Sequence, residues 1–467
     1  MIIVIPVEIN KRELIEKIFL STAIIKKLKA KVYLIKKHFF FKKIKNCSDL
    51  IFFDKGISIT KQKLYNKLGN KNHIVAFDVE SPILNWDDMT FKARLPKQIL
   101  KKTKIYFTQN KKDRNKVTKY FGNHLNIISS GNPKFELSKK KNAKLIFDDQ
   151  ITTIKKEFGS SYIYFSSSFS ADTYGGEKLW KKYTKKVYNQ KNTNLSKIKQ
   201  FEKFEKNDFH NYISLINLSI DVAKKFPKKT IIFRPHPTQD INLVKKRFPK
   251  DIKNLHVILK FDAAPWIYNC DWFIHTHCST FFDAEIMKKK IILFYKSKET
   301  RHKNFFKLFD KKNHFFNDEK DVIKILKEDK KILYKNYLKS ELLNYSENYT
   351  KNSHNIICNQ IFKKFKNVRT KITFNNLKYK EDIKFIKFLK KILSKIKILT
   401  QKLGIIYIID YIFELKPNMF LNYEIIKNKG SDLNLMEISH YLRKTNKIYK
   451  SKVKVKYIDN NIFLLSN

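Results

Sequence analysis

Short apolar runs alternate with longer stretches of helical periodicity along most of this chain. The first run, IIVIPV at 2–7, leads into NKRELIEKIFLSTAIIKKL, where apolar positions return every three or four residues. KVYLI (31–35), DLIFF (49–53), HIVAF (73–77), KIYFT (104–108) and LNIIS (125–129) follow, separated by helix-like stretches such as 60–69 and 111–121. Five- or six-residue β-branched and aromatic runs predict strands, and their alternation with helices predicts βαβ units and a parallel sheet. Gly131-Asn132-Pro133 is a turn signal that closes a first domain over 1–137. The polar, lysine-rich stretch 138–157 reads as a linker.

The alternation restarts at SYIYFSSS (161–168), which runs into a small-residue loop, SSSFSADTYGGE. A polar helical region, roughly 177–226, precedes the runs TIIFR, HVIL, DWFIH and IILFY, and 318–365 reads as closing helices. A second domain over 158–365 follows. Residues 366–467 form a Lys/Ile/Asn-rich extension with helical periodicity around 381–402. The predicted fold is therefore α/β: two Rossmann-like domains with parallel sheets facing a cleft, plus a mainly helical, basic C-terminal extension. A chain of 467 residues is too long for one ordinary domain, which agrees with this division.

Composition adds a constraint on partners. The 39 Phe and 23 Tyr suffice for packed cores, which excludes wholesale disorder. The net charge of +55 is extreme, yet only 8 of the 98 basic residues are Arg and the lysines are spread over nearly every segment. That spread reads as the codon bias of an AT-rich genome, with attraction to anionic membranes or polyanionic substrates as the functional alternative. A nucleic-acid-binding protein would show basic patches interleaved with aromatics, or a reader module, and neither pattern is present. The four scattered cysteines form no disulfide framework, as expected in a reducing cytoplasm. The amino terminus lacks a basic n-region, and no window has the roughly 18 apolar residues of a membrane span, so a cytoplasmic or peripheral protein is expected.

Two strand ends carry the candidate chemistry. In IIFRPHPTQD (231–240) an apolar run ends in Arg234-Pro235-His236-Pro237. Arg234 offers a planar fork of donors to phosphate, and His236 can donate to phosphate or take a proton near neutral pH. The flanking prolines stop the strand, so both side chains are expected to project from the sheet edge. In DWFIHTHCSTFFDAE (271–285), Ser279 or Thr280 is placed to cap the next helix, beside backbone N–H groups able to hold an anion. Asp283, four residues after Ser279, is expected one turn along the same helix face, at ribose hydroxyls. His277 reads as a further donor to the ligand. His275, His277, Cys278 and Cys270 match no common zinc spacing, so no metal is expected. In the first domain Asp78 and Glu80, after HIVAF, and Glu8, after the first strand, are candidate general bases. Each reads equally as a helix cap or a salt-bridge partner.

These segments together resemble a bacterial surface carbohydrate biosynthesis family. Its members open with P-x-E and R-E-L, here Pro6, Glu8, Arg12, Glu13 and Leu14. They carry D-E-E-G, matched in part by AFDVES, and close the first domain with G-N-P-R-F-D, here GNPKFE (131–136). Their C-T-T-x-x-E-A stretch is Cys278-Ser279-Thr280-Phe281-Phe282-Asp283-Ala284, which puts Asp283 rather than Glu285 at the acidic position. The match covers roughly 1–365. Two departures stand out: Ser81 replaces one family glycine, and Lys288 and Lys290 replace a later Gly and Pro. More distantly, RPHP with a downstream Ser/Thr helix is similar to capsule Kdo transferases, polysialyltransferases and CDP-glycerol glycerophosphotransferases, in which this region holds a cytidine nucleotide.

The resemblance implies a GT-B-like glycosyltransferase of capsule or lipopolysaccharide type. It implies a nucleotide-sugar donor, a glycan or lipid-linked acceptor and no bound cofactor or metal. The donor phosphates fall to Arg234, His236, His277, Ser279 and Thr280, and catalysis to Glu8, Asp78, Glu80 and His236. An inactive GT-B scaffold in glycan assembly is the alternative that the replaced glycines favour.

Overall fold

The computed structural model describes residues 1–8, 10–37, 40, 44–58, 61–77, 91, 94–122, 126–167, 195–237, 239–298, 315–328, 353–374, 432–459 and 461–467. The chain opens with β1 (Ile2–Val7), α1 (Asn10–Leu28), β2 (Lys31–Lys36), β3 (Ile44–Ser48), β4 (Ile51–Asp54) and α2 (Gln62–Leu68). Next come β5 (His73–Phe77), α3 (Lys97–Leu100), β6 (Thr103–Thr108), α4 (Lys111–Phe121) and β7 (Ile127–Ser129). Strands β2, β1, β4, β5, β6 and β7 lie side by side in that order, all parallel. β1 is apolar throughout because both its faces are covered, as parallel sheets require. Its Pro6, which has no N–H to donate, lies beyond the pairing with β4, which covers Ile3 and Val4.

Three helices follow: α5 (Lys134–Leu137), α6 (Lys140–Ile146) and α7 (Asp148–Phe158). The stretch 138–157, expected as a linker, is thus helical. Its Ala143, Ile146, Ile151 and Ile154 are buried in the layer between the two sheets. Those four apolar positions, spaced three, five and three residues apart across two helices, lie among the lysines and acids of the exposed faces.

The second domain contains β8 (Tyr162–Ser166), α8 (Leu195–Lys225), β9 (Thr230–Arg234), α9 (Ile241–Lys245), β10 (Leu255–Val257) and α10 (Ala263–Asn269). It continues with β11 (Trp272–His275), α11 (Phe281–Ile286), β12 (Lys290–Phe294), β13 (Phe315–Phe316) and α12 (Glu319–Glu328). Its sheet has the order β10-β9-β8-β11-β12-β13, again all parallel. The architecture is α/β and GT-B-like, two Rossmann-like domains in tandem. In each sheet the chain first builds outward to one side and then returns to the other. The reversal falls between β1 and β4 in the first sheet and between β8 and β11 in the second. Ligands of open α/β sheets bind at the carboxyl ends of the strands flanking such a reversal.

The end of the chain returns to the first domain. Helix α13 (Ser353–Phe365) packs on α1, with Phe19 against His354 at 4.7 Å between ring centroids. Strand β14 (Lys371–Phe374) pairs antiparallel with β3 in a separate two-stranded sheet. Helix α14 (Leu435–Tyr449) also packs on α1, where the hydroxyls of Thr22 and Thr445 meet at 3.0 Å. Hairpin β15 (Lys454–Asp459) and β16 (Ile462–Ser466) then extends the first sheet, with β16 antiparallel to β2. The last part of the extension is therefore built into the first domain.

One apolar core joins the two domains. It takes Ile3, Ile5 and Val7 from β1, Tyr162 and Tyr164 from β8, and side chains from α6, α7, α10, α11, α13 and α14. Each fully buried side chain of this size contributes about 1.5–3 kcal/mol, so the shared layer holds the two sheets together as one body. Separate cores cover the outer faces.

Candidate functional site

At the carboxyl edge of the second sheet, strand register sets three residues in a row. Ser166 on β8 is the partner of Arg234 on β9 and of His275 on β11. Alternation along each strand turns this row to the same face as Tyr164, Ile232 and Phe273, toward the layer between the domains. The row lies across the reversal between β8 and β11.

Beyond β11, the loop 276–280 brings three small polar side chains together. Cys278 Sγ lies 3.0 Å from Thr280 Oγ1 and 3.3 Å from Ser166 Oγ, and Ser166 Oγ lies 3.4 Å from Thr280 Oγ1. His275 is fully buried and stacks parallel to Phe281, with centroids 5.8 Å apart. Burial, then the neighbouring His277, pushes its pKa down to about 3, so this imidazole is neutral at ordinary pH. His277 is half-buried, its ring 6.4 Å from that of Tyr295.

Arg234, expected to project from the sheet edge beside the prolines, is turned inward. It is buried, and its Nη2 donates to the Phe261 carbonyl at 3.0 Å. Phe261 adopts φ +63°, a strained turn for a bulky residue, which this bond helps to hold. Arg234 Nε and the Tyr164 hydroxyl are both buried and find no hydrogen-bond partner among the described residues. Burial raises the Tyr164 pKa against the opposing charge of Arg234, so the phenol stays protonated and able to donate. Leaving a buried donor unsatisfied costs about 1–3 kcal/mol, so two such groups beside a strand reversal mark a place suited to an anion.

The loop carrying His236 is fixed through its backbone. His236 N–H is shared between Ser167 Oγ (3.0 Å) and Gln239 Oε1 (2.6 Å), Gln239 N–H returns to the His236 carbonyl (2.9 Å), and Ser167 Oγ donates to Gln239 Oε1 (2.6 Å). The His236 ring is thereby held at the rim, half-buried. Sequence reasoning missed Tyr164, Ser166, Ser167 and Gln239. Only the small-residue run after β8 and the side-chain acceptor three residues past His236 hinted at them.

Helix α11 corrects two expectations. It begins at Phe281, with Thr280 at the N-cap but making no side-chain cap bond, so Ser279 lies in the loop before it, exposed. Ser279 and Asp283 therefore do not share a helix face. Asp283 is 2% exposed and turns away from the loop: Ser138 Oγ donates to its Oδ1, and Lys134 Nζ lies 3.6 Å from its Oδ2.

In the first sheet, the reversal between β1 and β4 carries a charge network. Glu8 pairs with Lys55 at 3.1 Å and Lys37 at 3.5 Å, and its backbone N–H donates to Glu13 Oε2 at 2.9 Å. Lys55 also reaches Glu13 Oε1 at 2.6 Å. Asp54, wholly buried, is paired with Lys61 at 2.9 Å and accepts from the Tyr65 hydroxyl at 3.1 Å. Burial works to raise the Asp54 pKa, but Lys61 and then Lys37 hold it below the ordinary carboxylate value. Glu8, expected as a general base, a helix cap or a salt-bridge partner, is engaged in salt bridges. Asp78, Glu80 and Ser81 lie outside the described residues. Among the described residues no three His, Cys, Asp or Glu side chains gather as metal ligands, and no helix is long and apolar enough to cross a membrane.

No known family profile matches the chain, and no curated protein does. Among solved structures it is similar to S. aureus MnaA with UDP, at 10% identity over 78% of this chain and 96% of that one (TM-score 0.47). It is similar to UDP-GlcNAc 2-epimerase from Neisseria meningitidis bound to UDP-GlcNAc, at 12% identity over 78% and 100% (TM-score 0.47). The wall teichoic acid polymerase TagF is similar at 12% identity over 78% and 89% (TM-score 0.47).

Proposed function

We propose that this protein is a GT-B-like transferase of bacterial surface polysaccharide biosynthesis. It moves a sugar, or a polyol-phosphate unit, from a nucleotide-activated donor of cytidine or uridine type to a glycan or lipid-linked acceptor. The observation that carries this reading is the second sheet's reversal, where Ser166, Cys278 and Thr280 converge near Arg234 Nε and the Tyr164 hydroxyl, two buried donors without a hydrogen-bond partner among the described residues.

In this reading the donor phosphates lie against His236, His277, Ser279 and Thr280, with Arg234 behind them as a fixed positive charge. Stabilising the charge that develops on the leaving phosphate is the main catalytic demand, and donors fixed before the reaction meet it without reorganisation. His236, held by Ser167 and Gln239, is placed to donate to that phosphate. The acceptor approaches from the first domain, near Glu8, Asp78 and Glu80. Glu8, paired with Lys37 and Lys55, is suited to orienting an acceptor hydroxyl more than to taking its proton, which leaves Asp78 or Glu80 as base. In this reading Arg234 supplies positive charge near the phosphates, and the reaction calls for no metal. The excess of lysine suits an enzyme working in the cytoplasm at an anionic membrane surface.

Calorimetric titration of the full chain with CMP, CDP and UDP tests this. At least one should bind, and His236→Ala should weaken it about tenfold, as expected for loss of a hydrogen bond to a charged group. Absence of binding by all three overturns the reading. The ion pairs that occupy Glu8 favour a second reading, an inactive scaffold. It would bind nucleotide yet turn over no activated donor.

A further inference from the structure

Helix α11 has six residues, too few to hold its own direction, because a helix this short gains little from its internal hydrogen bonds. Its direction comes from what it packs on. Phe282 meets the Phe135 ring at 5.2 Å, and Asp283 is engaged by Ser138 and Lys134. All three partners belong to one five-residue segment, 134–138, that closes the first domain. The segment is itself anchored. Asn132 Oδ1 accepts from Lys134 N–H at 3.0 Å, and Asn142 Nδ2 donates to the Glu136 carbonyl at 2.8 Å. On its other side, Glu136 Oε1 lies 3.1 Å from His354 Nδ1 and 3.3 Å from Ser353 Oγ, at the start of α13.

Segment 134–138 thus touches both the helix that follows the loop 276–280 and the helix that crosses back onto α1. Loop 276–280 has β11 at one end and α11 at the other. Its end at Thr280 is set by where α11 sits, and α11 is held by its apolar side chains and, on the polar side, by Asp283. A carboxylate 2% exposed and occupied on both oxygens is poorly placed to reach out to a ribose.

We propose that Asp283 is a positioning residue: through Ser138 and Lys134 it fixes the phosphate-binding loop to the first domain and couples nucleotide binding to segment 134–138. This rests on the reading of loop 276–280 as a nucleotide site. A ligand that draws on Ser279 and Thr280 pulls on α11, and the pull reaches the first domain through the Asp283–Ser138 bond.

The test uses the full chain with Asp283→Asn, Ser138→Ala, Ser138→Thr and the Asp283→Asn/Ser138→Ala double variant. Binding of nucleotide and of inorganic pyrophosphate is measured by calorimetry, and amide exchange is followed across 131–147, 276–286 and 353–365. Asp283→Asn and Ser138→Ala should each weaken nucleotide and pyrophosphate alike, by about five- to tenfold, the usual scale for one buried hydrogen bond. The double variant should be no worse than Asp283→Asn, because the two share one bond. Ser138→Thr, which keeps the hydroxyl, should restore binding. Both single variants should speed exchange in 134–147 and 276–286 together.

Loss of nucleotide affinity in Asp283→Asn with pyrophosphate affinity unchanged would show a direct ribose contact and overturn the proposal. So would a silent Ser138→Ala variant. If the unaltered chain binds neither nucleotide nor pyrophosphate, the functional reading fails. The exchange data then decide the mechanical tie: unchanged exchange at 276–286 in Ser138→Ala overturns it as well.

Discussion

Glu136 and His354, separated by more than 200 positions in sequence, form a buried contact of 3.1 Å between Oε1 and Nδ1 that joins α5 to α13. Burial opposes ionisation of Glu136, but the hydrogen bond and charge of His354, with Lys139 and Ser353 behind them, hold its carboxyl below the ordinary value of 4.5. A carboxyl with a depressed folded-state pKa stabilises the fold in full above its unfolded value. That stabilisation disappears as pH falls through the folded value. Denaturant midpoints measured from pH 7 downward should fall on acidification below about 4.5, and Glu136→Gln should flatten that part of the profile. An unchanged profile in Glu136→Gln would mean that other carboxyls carry the acid sensitivity.

Tyr164 gives a prediction with opposite signs in two assays. Its hydroxyl is buried with no partner among the described residues, so removing it relieves a desolvation cost. Tyr164→Phe should stabilise the free protein by about 1 kcal/mol in thermal or denaturant unfolding. If the hydroxyl faces the phosphate, the same variant should weaken nucleotide binding severalfold. Destabilisation with unaltered binding would place the hydroxyl in an ordinary structural role.

Asp54 and Lys61 make the most deeply buried ion pair of the first sheet's reversal. Lys61→Met leaves a carboxylate with one fewer counter-charge in a dry site and should cost about 3–5 kcal/mol of stability. Removing both charges, as Asp54→Asn with Lys61→Met, should recover most of that loss, since the two effects share one interaction. Urea unfolding of the two singles and the double measures the coupling directly. Simple additivity would argue against it.

Lys288 adopts φ +56°, in the left-handed region that favours glycine. The turn between α11 and β12 thus holds a left-handed conformation with a residue that adopts it only under strain. Lys288→Gly should stabilise the protein by about 0.5–1 kcal/mol, the relief of strain less the entropy that glycine loses on folding. A midpoint shift in the destabilising direction would mean that the lysine side chain makes a contact worth more than the strain.

The sequence alone determined the strands, because alternation and β-branching are properties of five or six consecutive residues. The runs IIVIPV, HIVAF, SYIYF, TIIFR and DWFIH are all strands at the places where they were expected. Helix α1 likewise spans the stretch whose periodicity announced it. The ends of β9 and β11 were legible as a candidate site, since a proline-broken Arg-Pro-His-Pro and a Ser-Thr pair before an apolar helix are local signals. The extension was harder to read: KVKVKYID and IFLLS lack helical spacing, and nothing in them says that β16 must pair with β2. Tertiary structure alone decided which partner each polar group meets. Ser138 and Asp283 stand 145 positions apart, and their meeting depends on the path of two domains. Glu8 became an ion-pair member because β2 and β4 flank β1 and bring Lys37 and Lys55 to it. Arg234 turned inward because the carbonyl of Phe261, in a neighbouring loop, offered an acceptor. Local pattern encodes backbone and burial; partner choice is set by distance in space, which a chain acquires only on folding.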